Sequence, residues 1–186
     1  MSKTALLLID IQNDYFQGGK FPLNEMDAAL KQSAKLLDAF RKNNLSVIYV
    51  RHETLTTDAP FFHKGSDGAC IHSTLTPKDS EPVITKHNIN SFKDTNLKEI
   101  LDAQGVETVV IVGAMSHMCI DAVTRAASDF GYNCAIAHDA CTTLDLEFND
   151  IKIPAQMAHA AFMSALGFAY ANVATTDELL NQLNLA

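Results

Sequence analysis

Apolar residues along this chain fall into two alternating rhythms. Thr4-Ala5-Leu6-Leu7-Leu8-Ile9 is an unbroken apolar run that stops at Asp10, and such runs suit strands buried on both faces. The segments 46–50, 83–85, 107–112, 133–137 and 172–174 repeat the pattern. Between them, apolar positions recur at helical spacing. Met26, Leu30, Leu36, Leu37 and Phe40 mark a helix over 26–43, ended by Asn43-Asn44. Shorter helices are predicted over 97–103 before Gly105, over 117–130 before Gly131, over 155–166 before Gly167, and from Thr176 onward. This β-α alternation predicts a single α/β domain over 1–186: a three-layer α-β-α sandwich whose mostly parallel, doubly wound sheet has about six strands. Two stretches break the rhythm, 52–82 and the more acidic 140–153. Long connections of this kind serve as lids, binding loops or oligomer contacts.

In a parallel sheet, ligands bind beyond the carboxyl ends of the strands. Asp10 ends the first strand, Lys86 ends the third, and Cys119 follows the fourth, so one sheet edge gathers all three. Ser116 reads as a helix N-cap, which puts Cys119 in the first helical turn. Unpaired N–H groups and the positive end of the helix dipole bias such a thiol toward thiolate. The same N–H groups, those of Met115 and Cys119, can hold an oxyanion. Asp10 can take the thiol proton and return it to a leaving amine, with Lys86 stabilising both anions. Taken singly, each residue has a plainer reading as a turn former, a solvated cation or a packing thiol.

Composition narrows the field. Asp and Glu outnumber Lys and Arg by 22 to 14, for a net charge of -8. An acidic chain without a basic run argues against nucleic acid and anionic membrane surfaces as partners. The Met1-Ser2-Lys3-Thr4 start shows no signal-peptide pattern, and cytoplasmic location is the expectation. The cysteines at 70, 119, 134 and 141 have neither C-x-x-C nor zinc-finger spacing.

The segments Asp10-Ile11-Gln12-Asn13-Asp14-Tyr15, Lys86 with Asn90-Ser91-Phe92, and Gly113 through Cys119-Ile120 to Thr124, Ala127 and Gly131 together resemble the isochorismatase-like cysteine hydrolases. Nicotinamidases and N-carbamoylsarcosine amidohydrolases belong to that superfamily. Asp139-Ala140 and Thr142 continue the match, which spans essentially the whole chain. The resemblance implies a catalytic triad of Asp10, Lys86 and Cys119, and a non-proline cis peptide between Ala114 and Met115. It implies hydrolysis of a small molecule's amide-type C–N bond through a thioester. Isochorismatases proper cleave a vinyl ether and lack the cysteine, so Cys119 points to the amidase branch.

For substrate contacts the expectation is Gln12, Tyr15, Phe16, Phe62, Phe92, Ala114 and His117, with the aromatic rings either walling the pocket or packing the loop bases. Nicotinamidases carry a metal-binding D-x-H after the second strand, where this chain has Arg51-His52-Glu53-Thr54. His63, His72 and Asp58 are irregularly spaced, so neither metal nor cofactor is expected. Rival readings are a metal-containing, nicotinamidase-type amidase and a redox-sensitive thiol protein. A nucleotide-binding domain fails for want of a Gly-rich phosphate loop after the first strand. A homo-oligomer, dimer or larger, is expected, with the helix over 155–166 (Met157, Ala158, Ala161, Phe162, Ala165) able to serve either as interface or as sheet cover.

Overall fold

The computed structural model describes residues 3–56 and 58–185; the Met1-Ser2 start lies outside them. Six strands form one parallel sheet: β1 (Thr4–Ile9), β2 (Ser46–His52), β3 (Val83–Lys86), β4 (Thr108–Ala114), β5 (Asn133–Thr142) and β8 (Asn172–Ala174), in the order β3-β2-β1-β4-β5-β8. The chain winds outward from β1 in both directions, so the strand order switches between β1 and β4, the place where such sheets bind ligands.

Alternation along each strand divides the core. Leu6, Leu8, Val47, Tyr49, Val110 and Val112 face one side, where α1 (Met26–Lys42) and α5 (Thr176–Gln182) pack through Leu36, Leu37, Phe40, Leu179 and Leu180. Leu7, Ile9, Ile48, Val109 and Ile111 face the other, against α2 (Leu97–Ala103), α3 (Asp121–Asp129) and α4 (Ala155–Ala169) through Leu101, Val123, Met163 and Leu166. Burial on both faces is why these strands carry unbroken apolar runs.

Three local expectations are corrected. The fifth strand extends to Thr142, with its register against β4 jumping from Ile111↔Ile136 to Gly113↔Cys141; polar His138 and Asp139 occupy this irregular stretch and hide it from an apolar-run reading. Residues 140–153 are no plain loop, since β6 (Leu146–Phe148) and β7 (Ile151–Ile153) form an antiparallel hairpin. Ser116 is not an N-cap: Ser116–Ile120 forms one π-helical turn after Met115, and α3 begins only at Asp121.

Candidate active site

Sheet register brings the strand ends together. Ile9 pairs with Val50 on one side and with Gly113 on the other, and His52 pairs with Lys86. Asp10 follows directly in the left-handed region (φ 52), its N–H donating to Val50 O at 2.9 Å. At Gly113 (φ 125), a Cβ would lie 1.9 Å from Ile9 O, so only glycine lets β4 run this close to β1 before the turn. The Ala114–Met115 peptide that follows is cis, with Ala114 fully buried.

Lys86 Nζ is the hub of the site. It stands 2.8 Å from Asp10 Oδ2 and 3.1 Å from Cys119 Sγ, and donates to Asn88 O (3.1 Å) and Ile89 O (3.3 Å). His52 Nδ1 lies 3.4 Å away. Asp10 and Lys86 are wholly buried and Cys119 is 4% exposed. Although burial opposes charge on Lys86, Asp10 and Cys119 raise its pKa, so the ammonium persists. Burial and the adjacent Lys86 lower the His52 pKa and keep that ring neutral.

The thiol runs against the helix-terminus expectation. Burial and the Asp10 carboxylate push Cys119 up to about 12, with Lys86 pulling the other way. Burial therefore favours the protonated thiol beside Asp10 and the Lys86 ammonium. The π turn that presents Cys119 is braced from behind. Ser116 Oγ donates to Thr142 O (3.1 Å) and pairs with His159 Nδ1 (2.8 Å), while His117 Nδ1 meets Thr143 Oγ1 at 2.5 Å. Met115 O accepts from the N–H groups of Met118 and Ile120, passing over that of Cys119.

The substrate-contact expectations divide. Tyr15 packs against Phe62 (ring centroids 4.6 Å) and Phe61 (5.6 Å), and burial, followed by the nearby Asp10, raises its hydroxyl's pKa. Phe62 is fully buried in this cluster, so its ring packs the wall and offers no exposed surface. His117 is half-buried, edge-on to Phe162, and burial lowers its pKa.

Gln12 is corrected. Its amide donates to His52 O and Ala69 O (both 2.8 Å) and accepts from His52 N (2.7 Å), so it ties β2 to the long loop and has no donor left for a substrate. Phe92 is also corrected: it stacks on Tyr132 and meets Phe130 edge-on, the packing role. Phe16 lies against His72 (4.3 Å) and not in the Tyr15 cluster.

Sequence reasoning missed three contributors. His52 had a signal, since it ends β2 directly beside the strand that delivers Lys86. Asp14 stands in the Asp10–Tyr15 motif but was given no role: its buried carboxylate accepts from Phe62 N (2.7 Å) and Lys20 N (3.1 Å), with Gly68 packed so close that a Cβ would fall 2.2 Å from Oδ1. His159 comes from the far end of the chain. The loop after β2 is thus tied to the segment after β1, through Phe62 N to Asp14 and through the Gln12 amide to Ala69 O.

A divalent cation does not fit the donors present. His52 Nδ1 is turned to Lys86, and His72 Nδ1 accepts from Thr74 N. Among the described residues no three His, Cys, Asp or Glu side chains are grouped to hold a metal ion.

The profile of the Isochorismatase domain matches residues 4–177. The chain belongs to the isochorismatase family. YddQ of Bacillus subtilis, an isochorismatase family protein, is 46% identical over 177 residues, covering 95% of this chain and 98% of YddQ. A solved structure of an isochorismatase hydrolase from Oleispira antarctica superposes with a TM-score of 0.94 at 61% identity, covering 97% of each chain. N-carbamoylsarcosine amidase from Thermoplasma acidophilum superposes with a TM-score of 0.81 at 25% identity, covering 94% of this chain and 97% of that one. Membership makes this chain an isochorismatase-family hydrolase. No helix among its described residues is long and apolar enough to cross a membrane.

Proposed function

We propose that the chain is a cysteine amidohydrolase that cleaves a small molecule's amide through a thioester on Cys119, with Asp10 as proton carrier and Lys86 as fixed cation. The observation that carries this reading is the buried Lys86 ammonium, 2.8 Å from Asp10 and 3.1 Å from Cys119.

With its pKa raised, the thiol does not wait as a thiolate. Its proton passes to Asp10 as sulfur adds to the amide carbon, and the C=O electrons move onto oxygen. The N–H groups of Met115 and Cys119 stabilise that oxyanion, the π turn leaving the Cys119 N–H out of the bonding at Met115 O. The oxyanion collapses, the C–N bond breaks, and Asp10 returns the proton to the leaving nitrogen. Water then adds to the thioester while Asp10 takes its proton. The C–S bond breaks, the acid departs, and sulfur regains the proton. Throughout, Lys86 holds Asp10 ionised when it must accept and offsets charge on sulfur.

Tyr15 lies near Asp10 and packs on Phe61 and Phe62, an aromatic cluster that suits a small substrate with a flat or apolar group. The raised pKa and near-complete burial of Cys119 disfavour the redox-sensor reading, because such sensors use exposed, low-pKa thiols. The misfit of the donor set disfavours the metal-containing reading. Four free cysteines suit a reducing compartment, so cytoplasmic location stays part of the proposal.

Ammonia release from a panel of small primary amides tests the reading. Cys119→Ala should abolish it without unfolding the protein, and undiminished release from that variant would rule the mechanism out.

A further inference from the structure

Behind the turn that carries Cys119 lies a cavity of about 520 Å³, within the usual range for a small-molecule site. Asp10, Lys86 and Cys119 do not line it. Its walls come from the start of α1 (Glu25 and Ala28), the polar end of β5 (His138 and Asp139) and the start of α4 (Ala155 and His159). Two carboxylates and two imidazoles thus border one space, and no Lys or Arg among the described residues joins them.

The hydrogen bonds of the turn fix what His159 offers there. Ser116 has one hydroxyl proton and Thr142 O can only accept, so that proton goes to Thr142. At the 2.8 Å contact Ser116 Oγ is then the acceptor, and His159 Nδ1 must carry the hydrogen. Burial, then the neighbouring His138, lowers the His159 pKa and keeps the ring neutral. Its Nε2 is therefore a bare lone pair, to which no group among the described residues donates. Asp139 is only half engaged. Its Oδ1 accepts from Thr176 N (2.8 Å) and Thr176 Oγ1 (2.9 Å), which leaves Oδ2 for another donor. Glu25 makes no side-chain bond to the helix it precedes.

The cavity therefore presents acceptors and negative charge with no cation to meet them. The ring centroids of His138 and His159 are 6.4 Å apart. A nitrogen donating to both rings at about 2.9 Å would stand about 4 Å from each centroid, and the 6.4 Å spacing then subtends roughly 105°, near the tetrahedral angle of an ammonium. Ala28 and Ala155 add a small apolar surface for a short carbon chain. We propose that this cavity binds a small primary organic ammonium, hydrogen-bonded to His159 Nε2 and ion-paired with Asp139 and Glu25. The site stands one relay, His159 to Ser116, from the turn that holds Cys119. The proposal does not depend on the reaction assigned above.

Long-range proton–nitrogen NMR of the histidine rings in the intact protein, with n-propylammonium chloride as probe, tests it. His159 should carry its hydrogen on Nδ1. Its Nε2 resonance should shift saturably, with a half-point of about 1 mM, an affinity within reach of so small a ligand. Tetramethylammonium has the charge but no N–H, and it should leave the resonance unmoved, as should propionate. Asp139→Asn keeps an oxygen for Thr176 and should raise the half-point about fivefold; exposed Glu25→Gln should raise it about twofold. Circular dichroism checks that each variant folds, and Glu25→Gln carries the test if Asp139→Asn does not. Hydrogen on Nε2, no saturable shift by about 20 mM, an equal response to tetramethylammonium, or unchanged half-points in the folded variants would each overturn the proposal.

Discussion

Cys119 illustrates how strongly a residue's chemistry depends on what surrounds it. Position near a helix start argues for a low pKa, whereas burial beside Asp10 raises it to about 12. The consequence is measurable. Iodoacetamide should label exposed Cys70 faster than Cys119 at pH 7, and Cys119 labelling should accelerate only as the pH climbs well above 9; fast, selective labelling of Cys119 at neutral pH would refute the raised value. A second consequence concerns stability. Cys119 and Cys141 both have folded-state pKa values raised to about 12, against roughly 8.5 in the unfolded chain. Their contribution is fully present below about pH 8.5 and is lost as pH rises toward 12, because the unfolded chain releases those protons first. Melting temperature should fall across that window, and less steeply in Cys119→Ala. Lys86 belongs to the same scale. Lys86→Met leaves Asp10 buried without its cation and should cost about 3–5 kcal/mol in denaturant unfolding. Adding Asp10→Asn should recover part of that loss, a coupling absent if the two residues do not interact.

At the scale of elements, β1 and β4 set the site. Their close approach at Gly113 is a backbone contact, and any Cβ there meets Ile9 O. Gly113→Ala should cost about 3 kcal/mol or more and shift the Cys119 turn, so turnover should fall even where the protein still folds. Gly131→Ala is the control, since its φ is also positive but nothing lies near its Cβ; it should cost only about 1 kcal/mol. The strands and the meeting of Asp10, Lys86 and Cys119 were legible in the sequence for one reason: Asp10 and Lys86 stand at the ends of strands and Cys119 just beyond one, and parallel pairing puts those ends together. Side-chain hydrogen bonds carry no such periodicity. The Gln12 amide had looked free for a substrate, and only tertiary placement aims it at the backbone of His52 and Ala69. The His159–Ser116 pair spans 43 residues and has no local signature. Phe92 was ambiguous because a ring after a strand end reads the same whether it walls a pocket or packs a loop base.

For the molecule as a whole, the sandwich buries Asp10, Lys86 and Cys119 together at the point where the strand order switches. The groups proposed to do the work are fixed charges already in place. Extended EDTA treatment should leave amide hydrolysis within about twofold of its starting rate; a loss of tenfold or more, about 1.4 kcal/mol in the barrier, would require a cation site formed by other donors. The central claim is that acyl transfer passes through Cys119. The most direct test mixes the enzyme rapidly with p-nitrophenyl acetate and then takes intact and peptide masses. The account predicts a burst of p-nitrophenol near one equivalent, an acetyl group on the Cys119 peptide, and neither in Cys119→Ala. A burst of equal size in Cys119→Ala, or acetylation of another residue in its place, would contradict it.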